Sequence, residues 1–135
     1  MNNGGAYSPL ITDGLLVGYR DEGWEQYRPL SGFRLESEQW YGKSGIGWGK
    51  RTEYMYAYPI PAGSIFSNEG HCAFPVNSDH VWSLLAYLNS SLGQQLLNLF
   101  CGQHKLAGYV SKLPCPPLDT YELRLAGDVA KTCWE

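Results

Sequence analysis

Residues 77–102, NSDHVWSLLAYLNSSLGQQLLNLFCG, carry the clearest structural signal in the chain. Asn77, Ser78 and Asp79 are helix-capping residues, and Val81, Leu84, Leu85 and Leu88 follow them, spaced three and four apart. A cap followed by that spacing reads as an amphipathic helix. Asn89-Ser90-Ser91 then offers a second cap before Leu92, Leu96, Leu97, Leu99 and Phe100, and Gly102 supplies a stop. The stretch therefore predicts two consecutive helices, or one helix kinked near Asn89 and Ser90. Leu85, Leu88, Leu92 and Leu96 are expected to share one face and to lie in the core.

Upstream, the chain reads as β structure and loops. Gly14 to Arg20 is an apolar run of strand length, closed by Asp21-Glu22-Gly23. Residues 23–53 have no helical period and predict a long loop, rich in Gly, Trp, Tyr and Arg. Tyr54 to Ile60 alternates, with Tyr54, Tyr56 and Tyr58 on one face and Met55 and Ala57 on the other, until Pro59 and Pro61 end the strand. Ser64–Ser67 and His71–Val76 predict a hairpin about Asn68-Glu69-Gly70. Downstream, Pro114, Pro116 and Pro117 exclude regular structure, and Glu122 to Ala130 predicts a short final helix. The fold class expected is α+β: a small twisted antiparallel sheet, or partial barrel, packed against the two consecutive helices. With 135 residues, one domain spanning 1–135 is expected.

Composition narrows the function. Aromatic residues make up 14% of the chain, with five Trp and ten Tyr, which excludes a disordered tail. No apolar run approaches the roughly 20 residues of a membrane span, and Met1-Asn2-Asn3-Gly4-Gly5 is no signal peptide. Cys72, Cys101, Cys115 and Cys133 contain no Cys-x-x-Cys pair, and are expected as reduced thiols in a cytoplasm. The net charge of −3 is unevenly spread: residues 1–38 carry −3, 39–118 carry +2 and 119–135 carry −2. No acid occurs from His80 to Leu118, so a polyanion could lie along the middle of the chain.

Catalytic and metal signatures are weak. His71-Cys72 and Cys101-x-x-His104 could together supply nitrogen and sulfur ligands, but their spacing is unlike a zinc site, and strand neighbours point to opposite faces. No Gly-x-Ser-x-Gly elbow is present, and a cysteine hydrolase would need a fast-reacting Cys72 or Cys101. Gly42-Lys43-Ser44 is no phosphate loop, because position 37, where the first glycine belongs, is Ser. The stretch 39–52 is more informative. It holds Trp40, Tyr41, Lys43, Ser44, Trp48, Lys50, Arg51 and Thr52 without an acid. Lys and Arg pair with phosphates and guanine edges, and aromatic rings stack on bases or on sugars. The residues alone leave two binding classes open: nucleic acid, or carbohydrate or protein docked on a Trp40, Trp48 and Tyr54 surface.

The order of short motifs adds a resemblance. Gly4-Gly5-Ala6-Tyr7-Ser8-Pro9 and Leu15-Leu16-Val17 come first, then Lys43-Ser44-Gly45-Ile46-Gly47-Trp48-Gly49-Lys50-Arg51-Thr52. Pro61-Ala62-Gly63-Ser64-Ile65-Phe66-Ser67-Asn68-Glu69-Gly70, Leu84-Leu85-Ala86-Tyr87-Leu88-Asn89-Ser90-Ser91-Leu92 and Leu113-Pro114-Cys115-Pro116-Pro117-Leu118 follow. Over about residues 4–118 this series resembles the TaqI-like C-terminal specificity domain of adenine-specific DNA methyltransferases. That family includes type IIG restriction-modification enzymes and BREX-type phage-defence methyltransferases. The resemblance implies a target-recognition module that grips double-stranded DNA beside a separate catalytic methyltransferase domain, with 119–135 as a C-terminal extension. The methyltransferase Asp/Asn/Ser-Pro-Pro-Tyr/Phe/Trp signature is absent; Cys115-Pro116-Pro117-Leu118 lacks its polar first and aromatic last residues. The chain is thus expected to be a non-catalytic piece of a longer enzyme, without a cofactor of its own, S-adenosylmethionine being implied for the parent. Lys43, Ser44, Trp48, Lys50, Arg51, Thr52 and Tyr54 are the expected DNA-facing residues, with Lys105 and Lys112 next, and no membrane partner is expected.

Overall fold

The computed structural model describes residue 25 and residues 28–31, 37–66 and 70–135. The motifs at 4–9 and 15–17, and the strand expected at 14–20, lie outside the described residues. Within them the fold is α+β: three antiparallel strands and four helices.

The strand at the centre of the sheet is the glycine-rich stretch itself. β1 (Gly45–Gly49) pairs on one side with β2 (Tyr58–Ile60) and on the other with β3 (Gly70–Ala73), both antiparallel. This corrects the loop expected over 39–52. Gly-Ile-Gly-Trp-Gly alternates with period two, so Ile46 and Trp48 share the face that packs into the core, at 0% and 1% exposure. The glycines share the other face, and there glycine is required sterically at position 45. A Cβ on Gly45 would lie 2.6 Å from Cδ1 of Phe74 and 2.7 Å from the Ala73 carbonyl oxygen. Pro59 does not end β2 but sits inside it opposite Ile46, and among the described residues β2 lies at the edge of the sheet, where proline is tolerated.

The longer strand expected from Tyr54 shrinks to Tyr58–Ile60, because the helices take the preceding backbone. The Asn89 amide donates to the Ala57 carbonyl and accepts from the Ala57 N–H, both at 2.9 Å. The Gln94 amide does the same to Met55 at 2.8 Å. Those backbone groups are satisfied by side chains and have no need of a ladder. The alternation of burial survives, with Met55 and Ala57 fully buried and Tyr54 exposed. Of the expected 64–67 and 71–76 hairpin, β3 forms and pairs with β1; residues 67–69 lie outside the described residues.

Two consecutive helices form as the capping pattern implies. The Asn77 side chain accepts from the Asp79 N–H at 3.0 Å in a short 3-10 turn, which leads into α1 (Val81–Asn89). Ser90 breaks the helix and caps α2 (Ser91–Phe100): its hydroxyl donates to the Tyr87 carbonyl and accepts from the Gly93 N–H. Leu85 and Leu88 are buried as expected, and Leu96 is half-buried. Leu92 is not core; it is 60% exposed. The break at Ser90 restarts the helical phase, so α2 buries Gly93 and Leu97 instead. A short α3 (Ala107–Val110) precedes the prolines, and α4 (Tyr121–Trp134) runs further than the 122–130 expected. α4 lies against α1 so closely that a Cβ on Gly127 would fall 2.8 Å from the Ser83 backbone nitrogen. The core joins Ile46 and Trp48 of β1 to Val81, Leu85 and Leu88 of α1, Leu97 of α2, and Met55, Ala57 and Leu113 from the connections. Each of the Val, Leu, Ile and Met side chains contributes on the order of 1.5–3 kcal/mol when fully buried.

Candidate nucleic-acid interface

β1 ends at Gly49 in a bend at Lys50, and a short bridge beyond it decides where the basic residues point. Residues 50–52 run antiparallel to residues 103–105. The Lys105 N–H donates to the Lys50 carbonyl at 2.9 Å, and the Thr52 N–H donates to the Gln103 carbonyl at 3.0 Å. Between those two bonds Arg51 and His104 face each other as a bridge pair. Such a pair, flanked by hydrogen bonds but making none itself, has its Cα atoms about 4.5 Å apart and its side chains on one side. By the alternation of that short ladder Lys50 and Thr52 lie on the side opposite Arg51 and His104. Burial agrees: Arg51 and His104 are exposed, Lys50 and Thr52 are half-buried, and the Thr52 hydroxyl oxygen is buried with no hydrogen-bond partner among the described residues.

Two expected DNA contacts are thereby corrected. Trp48 is 1% exposed, and its indole N–H donates to the Lys105 carbonyl at 2.8 Å. Lys105 is 0% exposed, and its ammonium donates to Oδ1 of Asn98 and to the Gly102 carbonyl, both at 2.6 Å. Neither side chain can reach a duplex. They instead hold the inner face of the 103–105 segment against β1 and the end of α2.

The remaining candidates do not form one cluster. Lys43 lies before β1 and Arg51 after it, at opposite ends of a strand about 13 Å long at roughly 3.3 Å per residue. The Lys43 ammonium sits 4.4 Å from the Trp40 ring centroid. Trp40 stacks on Phe74 at 5.3 Å, Phe74 packs on Phe66 at 5.6 Å, and Tyr41 meets Phe66 edge-on at 5.0 Å. Trp40 is thus held flat and partly open, 38% exposed. Ser44 lines a small cavity of about 160 Å³ with Pro59, Ile60, Pro61, Trp82 and Trp134, an apolar lining without a cation. Tyr54 is exposed beside Tyr56, and Lys112 is exposed with its ammonium 5.8 Å from the Tyr109 ring. The aromatic docking surface of Trp40, Trp48 and Tyr54 loses its middle member to the core.

Electrostatics separate Arg28 from Arg51. Arg28 bonds Glu25 at 2.8 Å and Glu38 at 3.0 Å, and the hydrogen bonds to these carboxylates raise its pKa further. Its charge is already answered. Arg51 makes no ion pair among the described residues. His104 was considered in the sequence only beside Cys101 as a metal ligand. Among the described residues no three His, Cys, Asp or Glu side chains gather as a metal site. The signal that could have found His104 is its place in the acid-free run from His80 to Leu118, but its pairing with Arg51 is long-range. No protein-family model matches this chain, and no curated protein matches it.

Proposed function

We propose that this chain is a sequence-specific double-stranded DNA recognition module, serving an adenine N6-methyltransferase or restriction-modification enzyme whose catalytic domain, with its S-adenosylmethionine, is separate. The observation that carries the reading is Arg51. It is an exposed guanidinium unpaired among the described residues, held on a short hydrogen-bonded bridge just beyond the central strand. A cation so placed can pair with phosphate oxygens or with a guanine edge, and the rigid backbone beneath it fixes its register. Lys43 on its aromatic shelf, and Lys112, are further phosphate contacts at other points of the surface. The motif series of the sequence supplies the methyltransferase context. The buried Trp48 weighs against the carbohydrate- or protein-binding alternative, which needed it on the surface.

The test is a titration of the chain with duplex DNA of random sequence at several salt concentrations. Binding in the non-specific range, a Kd of roughly 10⁻⁴–10⁻⁶ M, is expected, weakening with salt at a log–log slope of about −0.9 per phosphate contact. Absence of binding at low salt, or an affinity indifferent to salt, overturns the reading.

A further inference from the structure

We propose that His104 is a further DNA-contacting residue of this module, and that the cross-strand pair Arg51 and His104, rather than the sequence run Lys50-Arg51-Thr52, is what the duplex meets at this point of the surface. The inference rests on the proposed DNA recognition and names the residues that perform it. Three observations carry it. The two hydrogen bonds Lys105 N–H to Lys50 and Thr52 N–H to Gln103 fix the register, so that residue 104 and no other stands opposite residue 51. The bridge puts the Arg51 and His104 side chains on one side of the ladder and Lys50 and Thr52, both half-buried, on the other. The ribbon beneath the pair is anchored from its inner face by the Trp48 indole on the Lys105 carbonyl and by the enclosed Lys105 ammonium on Asn98 and Gly102.

The pair suits a phosphodiester backbone. An arginine presents a fork of N–H donors, and an imidazole presents one N–H when neutral and two when protonated. Donors on adjacent side chains of a two-stranded ribbon can grip neighbouring phosphate oxygens, or one can hold a phosphate while the other reaches a base edge; the major groove admits such a ribbon. Glu53, the nearest acid in sequence, lies beyond the ladder where the chain bends. Arg51 and His104 are the exposed residues on their side of the ladder, Gln103 being exposed on the other, and neither has an acidic partner among the described residues.

The test measures binding of the full chain to a random-sequence duplex at low salt for wild type, Arg51→Ala, Lys50→Ala, and His104→Ala, His104→Arg and His104→Glu. Arg51→Ala and His104→Ala are each expected to weaken binding roughly tenfold, the scale of one charge-assisted hydrogen bond. His104→Arg should bind at least as tightly as wild type, and His104→Glu should bind more weakly than His104→Ala. Lys50→Ala should change affinity less than either alanine variant of the pair. The order Arg, His, Ala, Glu at position 104 follows donor capacity and formal repulsion of the phosphates and cannot arise from a ladder merely loosened by substitution. Near-ultraviolet circular dichroism of the tryptophans checks that each variant is folded. If Arg51→Ala weakens binding and the four residues at position 104 bind alike, the inference fails while DNA recognition stands. If wild type binds no duplex, the proposed function fails and takes the inference with it.

Discussion

Lys105 shows how far a residue's chemistry depends on where the fold puts it. A count of cations assigns it to solvent, and lysine is rarely enclosed without partners. Here it is 0% exposed, and its acceptors are neutral: Oδ1 of Asn98 and the Gly102 carbonyl, at the C-terminal end of α2. A helix presents unpaired carbonyls and a partial negative charge at that end, so an ammonium is favoured there. Two substitutions separate the charge from the stem that carries it. Lys105→Met keeps most of the apolar volume and loses both hydrogen bonds, for an expected cost of about 1–3 kcal/mol. Lys105→Ala also empties the space of the stem and should cost more, about 2–5 kcal/mol, as core truncations do. Urea denaturation of the two variants provides the comparison. Equal costs would show that the stem packs against nothing; a cost under about half a kcal/mol for both, below either range, would show that the ammonium holds no structure.

Among the elements, α1 and α2 were more legible from sequence than the central strand, although β3 and the end of the expected Tyr54–Ile60 strand also form, and the cause is where each finds its hydrogen bonds. α1 and α2 carry their caps and their leucines in one continuous stretch, so Asn77 and Ser90 announce both starts. β1 announces nothing locally. Its glycines have low strand propensity, and its meaning comes from β2 and β3 and from Phe74 lying over Gly45. Residues 54–57 have a strand's alternation, yet Asn89 and Gln94 reach across from the helices and bind the backbone that a neighbouring strand would have taken. Even within the helices, phase is reset by a single cap. Leu88 and Leu92 are four apart, a spacing that on one unbroken helix shares a face, and they end at 3% and 60% exposure because Ser90 intervenes. Leu88→Ala is expected to cost about 2–5 kcal/mol and Leu92→Ala within about half a kcal/mol, as for a surface change. Chemical denaturation reads both. Similar costs for the two would mean that α1 and α2 continue as one helix in solution.

For the whole molecule, the candidate site was half legible. The acid-free stretch pointed to Arg51, but the pleat, a long-range ladder and burial decided that Lys50 turns inward, that Lys105 and Trp48 go inside, and that His104 stands at Arg51's side. None of these is visible in a run of neighbours, because each depends on a partner some fifty residues away along the chain. The same long-range logic ties the proline segment to the rest of the fold. The buried Tyr87 of α1 donates its phenol hydrogen to the Pro114 carbonyl at 2.6 Å. Burial raises its pKa above the ordinary tyrosine value, and the nearby Cys115 thiolate adds to the effect. A pKa higher in the folded chain than in the unfolded one means that folding favours the protonated phenol. That contribution is complete below about pH 10, the unfolded value, and is lost as pH rises from there through the folded value. Tyr87→Phe removes both the hydrogen bond and the titration. It should be less stable than wild type by about 1 kcal/mol near neutral pH, and the gap should narrow once pH passes about 10. Taking the difference between the two proteins cancels the titration of the other tyrosines. A gap that stays constant to about pH 11, past the ordinary phenol value, would mean that Tyr87 ionises as readily in the fold as out of it, and that the Pro114 contact does not hold the phenol in its neutral form.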